Sequence, residues 1–470
     1  MEDDFEFGSP EEQKFSVERY EEMIRNQDQY FFDTQAFEGI IEYYIEKNDP
    51  VKALQVVSYA VNQHPFAATF YLKQAHLYAM VDQYHDALES LNRAETLDPS
   101  EGEIYIVKGS VLSGLGYIDE AIESFEKALH LVDNKDDVYL QMAMLYQSQN
   151  DFDQAIVYLQ KCLAANMENQ DALYELAYCY DVMNKQEESI SFYKQYIDQD
   201  PYSYAAWYNL GNAFHKLGRF TEAIDAYDYA ILIKENFASA YFNKGNALVN
   251  LDKFEEAIEV YRLTFEYEPP GGETYCAIGE CYEKLERMDE ARHYYKKAVK
   301  MNVDLADAWF GIGVTLDFEE RYFESLHYYK KALELENDNP DYWFAIADAR
   351  YKLKQIEEAE LAYEKVVELN PNDIEAWLDY SSIQYEQGKL HHAIETIDYG
   401  MRNNPLSAEL YYRMVAYQIA VGQFIESMQY LEQALILDAS KFPILFEYLP
   451  SLQGNKEVMD LIHKYYRTDI

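Results

Sequence analysis

The chain has 470 residues and a formal net charge of −46, from 85 Asp and Glu against 39 Lys and Arg. Charge of that sign repels phosphate, which argues against nucleic acid or an anionic lipid surface as a ligand and favours a basic protein segment. A single core seldom grows to this length, so several domains or a repeat array are expected, and a chain with only 18 Gly and 12 Pro favours helix over sandwich or barrel.

Residues 1–33 open on the acidic stretch "MEDDFEFGSPEEQKF". It has no basic region followed by an apolar run, and no 18-residue apolar stretch occurs further on. Neither a signal peptide nor a membrane span is therefore read, and a cytoplasmic location is expected. From Phe15 the segment "FSVERYEEMIRNQDQYFF" reads as a helix that covers the apolar residues beginning at Phe37, so 1–33 is taken as an acidic tail and capping helix.

From Thr34 the chain repeats. Tyr105, Tyr139, Trp207, Tyr241, Tyr275, Trp309, Trp343, Trp377 and Tyr411 fall in one column of period 34, extended to Phe37 and Tyr71, with Leu173 in the gap. Four residues on lies a column of small residues, among them Ala75, Gly109, Ala143, Gly211, Gly245, Gly279, Gly313 and Ala347. A third column, in the second half of each unit, holds Ala53, Ala87, Ala121, Ala223, Ala257 and Ala291. Small residues in fixed columns mean close helix–helix approach, and Phe125, Tyr227, Tyr261, Tyr295, Tyr329 and Tyr363 are the large side chains that fill the space between. Each unit reads as two antiparallel helices of about 13 residues. Proline at 65, 99, 201, 269, 371 and 405 marks unit ends. Twelve units without insertion span 34–441, and 442–470 reads as further helices shielding the last one. The stretch "EYEPPGGETY" is the most loop-like joint, and Tyr196, Thr264, Val366, Gly400, Ile41 and Val415 break the small-residue columns.

The period and its columns, best developed at Trp207, Leu210, Gly211, Phe214, Ala223, Tyr227 and Ala230, resemble the tetratricopeptide repeat (TPR). The resemblance implies an all-α fold, an alpha-alpha superhelix or TPR solenoid of about twelve 34-residue helical hairpins. It also implies that the first helix of each hairpin lines a concave groove, and that the chain acts as a binding scaffold. On that face the middle of the chain carries Tyr208, Asn209, Asn212, Phe242, Asn243 and Asn246, where amides offer donor and acceptor to a peptide backbone. The N-terminal half adds Tyr174 and Tyr178. The C-terminal half turns acidic and aromatic, with Glu280, Glu283, Asp307, Phe310, Asp317, Phe344, Asp348, Tyr351 and Asp379. Carboxylates beside rings suit a Lys- or Arg-bearing ligand. Recognition of a chaperone-tail carboxylate is not expected, because Lys73 and Arg413 stand isolated and no basic clamp surrounds Asn212.

No glycine-rich phosphate loop, H-E-x-x-H or G-x-S-x-G occurs, and the repeats leave no block for a catalytic domain. The expectation is therefore no enzyme, no cofactor and no metal. Cys162, Cys179, Cys276 and Cys281 follow no disulfide or zinc pattern and read as buried free thiols. The leading reading is a scaffold or adaptor holding an extended or helical, basic segment of a partner protein in the groove. The alternative is an assembly component that uses the convex face and the ends. Oligomeric state is left open.

Overall fold

The computed structural model describes residues 10–466, so the acidic start up to residue 9 lies outside the described residues. The chain forms two compact units, one up to Glu235 and one from Asn236. In the first, α1 (Pro10–Asn26) precedes six hairpins: α2 (Thr34–Glu46) with α3 (Pro50–Gln63), α4 (Ala68–Met80) with α5 (Tyr84–Leu97), α6 (Gly102–Gly114) with α7 (Ile118–Leu131), α8 (Asp136–Ser148) with α9 (Phe152–Ala165), α10 (Gln170–Val182) with α11 (Gln186–Gln199), and α12 (Tyr204–Lys216) with α13 (Phe220–Ile233). The second holds six more: α14 (Ala238–Val249) with α15 (Phe254–Leu263), α16 (Gly272–Lys284) with α17 (Met288–Met301), α18 (Ala306–Phe318) with α19 (Tyr322–Leu335), α20 (Pro340–Lys352) with α21 (Ile356–Leu369), α22 (Ile374–Glu386) with α23 (Leu390–Asn403), and α24 (Ala408–Ala420) with α25 (Phe424–Asp438). Two short helices complete it, α26 (Pro443–Tyr448) and α27 (Lys456–Tyr465). Within each unit every hairpin packs on the next. The fold is all-α, built as an α-solenoid of tandem hairpins.

The small-residue columns have the steric cause inferred for them. A Cβ placed on Gly109 would stand 2.5 Å from the Phe125 ring. On Gly211, Gly245, Gly279 and Gly313 it would stand between 2.4 and 2.8 Å from the rings of Tyr227, Tyr261, Tyr295 and Tyr329. The ring of each second helix therefore occupies the volume a side chain on the first helix would need. Tyr295 is pinned on both sides, since Gly311 of the following hairpin also faces it. Where the further column of Ala230, Ala298 and Ala332 fails, a neighbour adjusts. Gly400 takes the Trp377 ring, and the Thr264 hydroxyl is buried and donates to the Tyr261 carbonyl at 2.7 Å. There α15 stops early in a 3-10 turn, Thr264–Glu266, before the proline–glycine joint.

Ile41 and Val415, the large residues in the second column, face the ends of the array. Ile41 shares a buried cluster with Val17, Tyr20 and Met23 of α1. Val415 shares one with Leu445, Leu452, Val458 and Ile462 from the C-terminal elements. Both terminal segments thus cover apolar surface that a bare hairpin would expose.

Each first helix ends on a residue of positive φ, at Asn48, Asp82, Gly116, Asn150, Asn184, Gly218, Asp252, Glu286, Glu320, Lys354, Gly388 and Gly422. The next residue's N–H then reaches back across the turn, as Arg219 does to the Phe214 carbonyl at 2.9 Å and Gln355 to the Arg350 carbonyl at 2.9 Å. This closure is the Schellman motif, which favours Gly because a Cβ is strained there. Nothing lies within 4 Å of a Cβ built at Gly218 or Gly388, so only backbone strain opposes substitution. Gly218→Ala and Gly388→Ala are each expected to lower stability by about 1 kcal/mol, and Lys354→Gly and Glu320→Gly to raise it by about 0.5–1 kcal/mol. Urea unfolding of the four variants measures both signs.

Candidate functional site

The first helices of the second unit carry the acidic and aromatic residues singled out in the sequence, and the phenols of the second helices hold several of them. The Tyr295 hydroxyl donates to Glu283 at 2.7 Å, and from the next first helix, α20, the Tyr342 hydroxyl donates to Asp307 at 2.7 Å. The Tyr261 hydroxyl donates to the Asn246 side-chain oxygen at 2.6 Å. The ring that packs on a glycine thus also points its hydroxyl at the polar face one or four residues beyond that glycine.

Glu280, Glu283 and Asp307 crowd together. Glu280 has its carboxyl pushed above the ordinary range, by desolvation first, partly relieved by the Cys276 thiol at 3.6 Å and reinforced by Asp307 and Glu283. By surface area Glu280 is exposed, although desolvation dominates its shift. The two agree for a side chain reaching water from a recess, and the accessible surface decides that it can be met by a ligand. Glu283 is half-buried and is likewise raised, by desolvation, with the Tyr295 phenol opposing. Asp379 is raised to about 6, by burial and then Glu375, while Arg413 pulls it down.

Next to this cluster, α18 and α20 enclose a cavity of about 580 Å³ lined by Phe310, Val314, Asp317, Phe344 and Asp348. Phe310 stands 5.3 Å from Tyr329 and 4.7 Å from Tyr342, ring to ring. Lys352 also lines the cavity. It pairs with Asp317 at 3.0 Å and Asp348 at 2.7 Å, and lies 5.1 Å from the Tyr322 ring. Its ammonium is held well above the ordinary lysine value by those two carboxylates, against desolvation. The carboxylates and rings here already hold one cation, the protein's own. Sequence reading missed Lys352, although its spacing of four from Asp348 on one helix places the pair on one face. Tyr351, read as a groove residue, donates to Glu386 at 2.9 Å.

One expectation is corrected. Asn209 is not an open groove amide. It is 3 % exposed, and its Nδ2 donates to the Leu173 carbonyl and the Tyr193 hydroxyl, both at 3.3 Å. A buried amide must find partners, and this one finds them in the core. Asn212, half-buried, accepts from the Tyr227 hydroxyl at 2.9 Å, and Asn243 is half-buried on α14. Tyr174 and Tyr178 are exposed on α10. Tyr208 and Phe242 are half-buried, their rings 5.9 Å from Tyr227 and 5.5 Å from Tyr261. The two cations read as isolated are engaged. Lys73 pairs with Glu42 at 3.2 Å, and Arg413 lies 4.0 Å from the centre of the Tyr448 ring.

The four cysteines are free and buried, and burial pushes the Cys162 and Cys281 thiols up to about 12. Among the described residues no group of three His, Cys, Asp or Glu side chains is placed to hold a metal ion, and no helix is long and apolar enough to cross a membrane.

A sequence comparison with curated proteins finds no match. Among solved structures the chain is similar to the APC/C hetero-tetramer Cut9–Hcn1, at 13 % identity and TM-score 0.44, over 87 % of this chain and 93 % of that one. It is also similar to YrrB, a TPR protein with an unusual peptide-binding site, at 21 % identity and TM-score 0.33, over 39 % of this chain and 95 % of that one. A third likeness is to MamA, at 19 % identity and TM-score 0.32, over 34 % of this chain and 94 % of that one. These likenesses carry no functional argument. Family models described as tetratricopeptide repeat match residues 102–131, 140–204, 204–237, 238–269, 272–302 and 319–377, together more than half of the sequence. With its hairpin architecture and its ring-on-glycine columns, the chain belongs to the tetratricopeptide-repeat family, a class of protein-binding scaffolds.

Proposed function

We propose that this scaffold holds a basic, extended or helical segment of a partner protein against the acidic and aromatic face of its second unit. The observation that carries the reading is the pairing of Lys352 with Asp317 and Asp348 over aromatic rings, beside Glu280, Glu283 and Asp307. A lysine or arginine from a partner would find similar chemistry at Glu280 and Glu283, whose carboxyls are raised by desolvation. A cation arriving there relieves like-charge repulsion, which makes the attraction larger than that of an isolated surface pair. Asn243 and Asn246 add backbone-directed amides on α14 of the same unit. The four buried thiols suit a reducing compartment such as the cytoplasm. A second reading, assembly through the outer helices, is favoured by exposed Phe323, Leu361, Tyr399 and Ile425.

A fluorescent decapeptide of alternating Lys and Gly is expected to bind the parent chain, with affinity falling as salt rises from 50 to 300 mM. The triple variant Glu280→Gln, Glu283→Gln, Asp379→Asn is expected to lose roughly tenfold at low salt. Binding that ignores both salt and the triple substitution would reject the proposal.

Asp379 adds a pH dependence. Its pKa in the folded chain, about 6, lies above the ordinary value of 3.8, so ionisation is disfavoured in the fold. The stabilisation from protonated Asp379 is full below the ordinary value and is lost as pH rises through about 6. Asp379→Asn should therefore melt higher than the parent at pH 7, with the gap shrinking as pH falls and closing only below the ordinary value of 3.8, an effect of order 1 kcal/mol at pH 7 after allowance for solvent screening. A bound cation favours the ionised form, so peptide binding at pH 6 should release protons, seen by calorimetry in two buffers of different ionisation enthalpy.

A further inference from the structure

The first unit contains a slot that two other hairpins of the chain fill with a ring of their own. In the hairpin α8–α9, Tyr158 stands between Tyr139 and Tyr146, 5.4 Å from Tyr146 at an interplanar angle of 11° and 6.3 Å from Tyr139. Lys161 caps it, 4.2 Å from the ring centre. In α16–α17 the arrangement recurs. Tyr294 stacks on Tyr282 at 5.4 Å, lies 6.1 Å from Tyr275, and has Lys297 at 4.9 Å. The period of 34 carries these positions onto Tyr71, Tyr78, Ser90 and Arg93 of α4–α5. Both tyrosine walls and the cation are present, and the central ring is replaced by serine.

The space left is a cavity of about 570 Å³ lined by Tyr71, Tyr78, Ser90 and Arg93, with Asp86 and Glu89 among the other side chains around it. The Ser90 hydroxyl is already committed, to Gln74 at 3.1 Å and the Asp86 carbonyl at 3.0 Å, so the polar floor asks nothing of an occupant. We propose that this slot receives an aromatic side chain of a partner protein, which completes the three-ring stack and lies under Arg93 as Tyr158 lies under Lys161. Stacking between two rings and a cation on the outer face reproduce the interactions the chain makes internally twice. The volume exceeds that of a single ring, which leaves room for the backbone flanking it. The slot lies in the first unit and is independent of the acidic face proposed above.

The test uses the full chain and the capped tripeptides Gly-Tyr-Gly, Gly-Phe-Gly, Gly-Leu-Gly and Gly-Lys-Gly, followed by ligand-observed saturation-transfer NMR. The aromatic peptides are expected to bind saturably, with a Kd on the order of millimolar, as suits a single anchor. Ser90→Tyr closes the slot from within and should weaken them at least tenfold while melting no lower than the parent. Tyr78→Ala removes a wall and should do the same if Ser90→Tyr fails to fold. Tyr158→Ser should open a second, equivalent site and raise the bound stoichiometry. Absence of saturable binding, equal binding of the Leu or Lys peptide, or aromatic binding indifferent to the variant that folds would overturn the proposal.

Discussion

A tyrosine of the second helix lying where a side chain of the first helix would stand is the contact on which the hairpins depend. It demands glycine at 211, 245, 279 and 313, because any Cβ there would collide with the ring. It brings the two helices of a hairpin close enough to bury Ala223, Ala257 and Ala291 completely. It also gives each hairpin a fixed reach toward its polar face, because the phenol at the end of the ring needs a partner once buried. Tyr227 finds Asn212, Tyr261 finds Asn246, Tyr295 finds Glu283, and Tyr329 bonds to Asp317. Packing and surface chemistry are therefore coupled: one residue spaces the helices and fixes a polar group on the face of the first helix.

The coupling accounts for the electrostatics of the second unit. A carboxylate held by a phenol from below cannot swing away from its neighbours into bulk water. Glu283, held by Tyr295, and Asp307, bonded to Tyr342, both stay close enough to Glu280 for their charges to act on it. Desolvation then raises the carboxyls of Glu280 and Glu283, and for Glu280 the neighbouring Asp307 and Glu283 charges add to it. Lys352 pairs directly with the adjoining Asp317 and Asp348, whereas around Glu280 and Glu283 the Lys284 charge offsets the raised carboxyls only in part. Net charge alone would have predicted a uniform acidic surface.

The repeat, the helix lengths and the packing columns were all legible in the sequence, because each is a one-dimensional pattern with a steric cause. The shape of a turn was less so. Glu286, Glu320 and Lys354 carry positive φ where glycine is the usual signal, and only the register marks them. The candidate face was legible in part. Its carboxylates and rings follow from first-helix spacing, but Asn209 was misread, since an amide at a plausible groove position gives no sign that a carbonyl and a phenol wait for it in the core. Lys352 is a basic letter at the end of its helix sequence, and only the folded ion pairs show that it takes up Asp317 and Asp348 together. The slot at Ser90 shows the converse. It is visible in the sequence only when three hairpins are laid in register and one ring is seen to be missing.

The most direct measurement of this coupling is the titration of the Glu283 carboxyl carbon by carbon-13 NMR in Tyr295→Phe, with thermal unfolding of the same sample. The ring remains to pack on Gly279 and Gly311, and only the hydroxyl that lowers the Glu283 pKa is removed. A cooperative melt close to the parent's, with Glu283 titrating at higher pH than before, is the result expected. A carboxyl that titrates unchanged in a folded variant would contradict the claim that the core tyrosines set the chemistry of the proposed binding face.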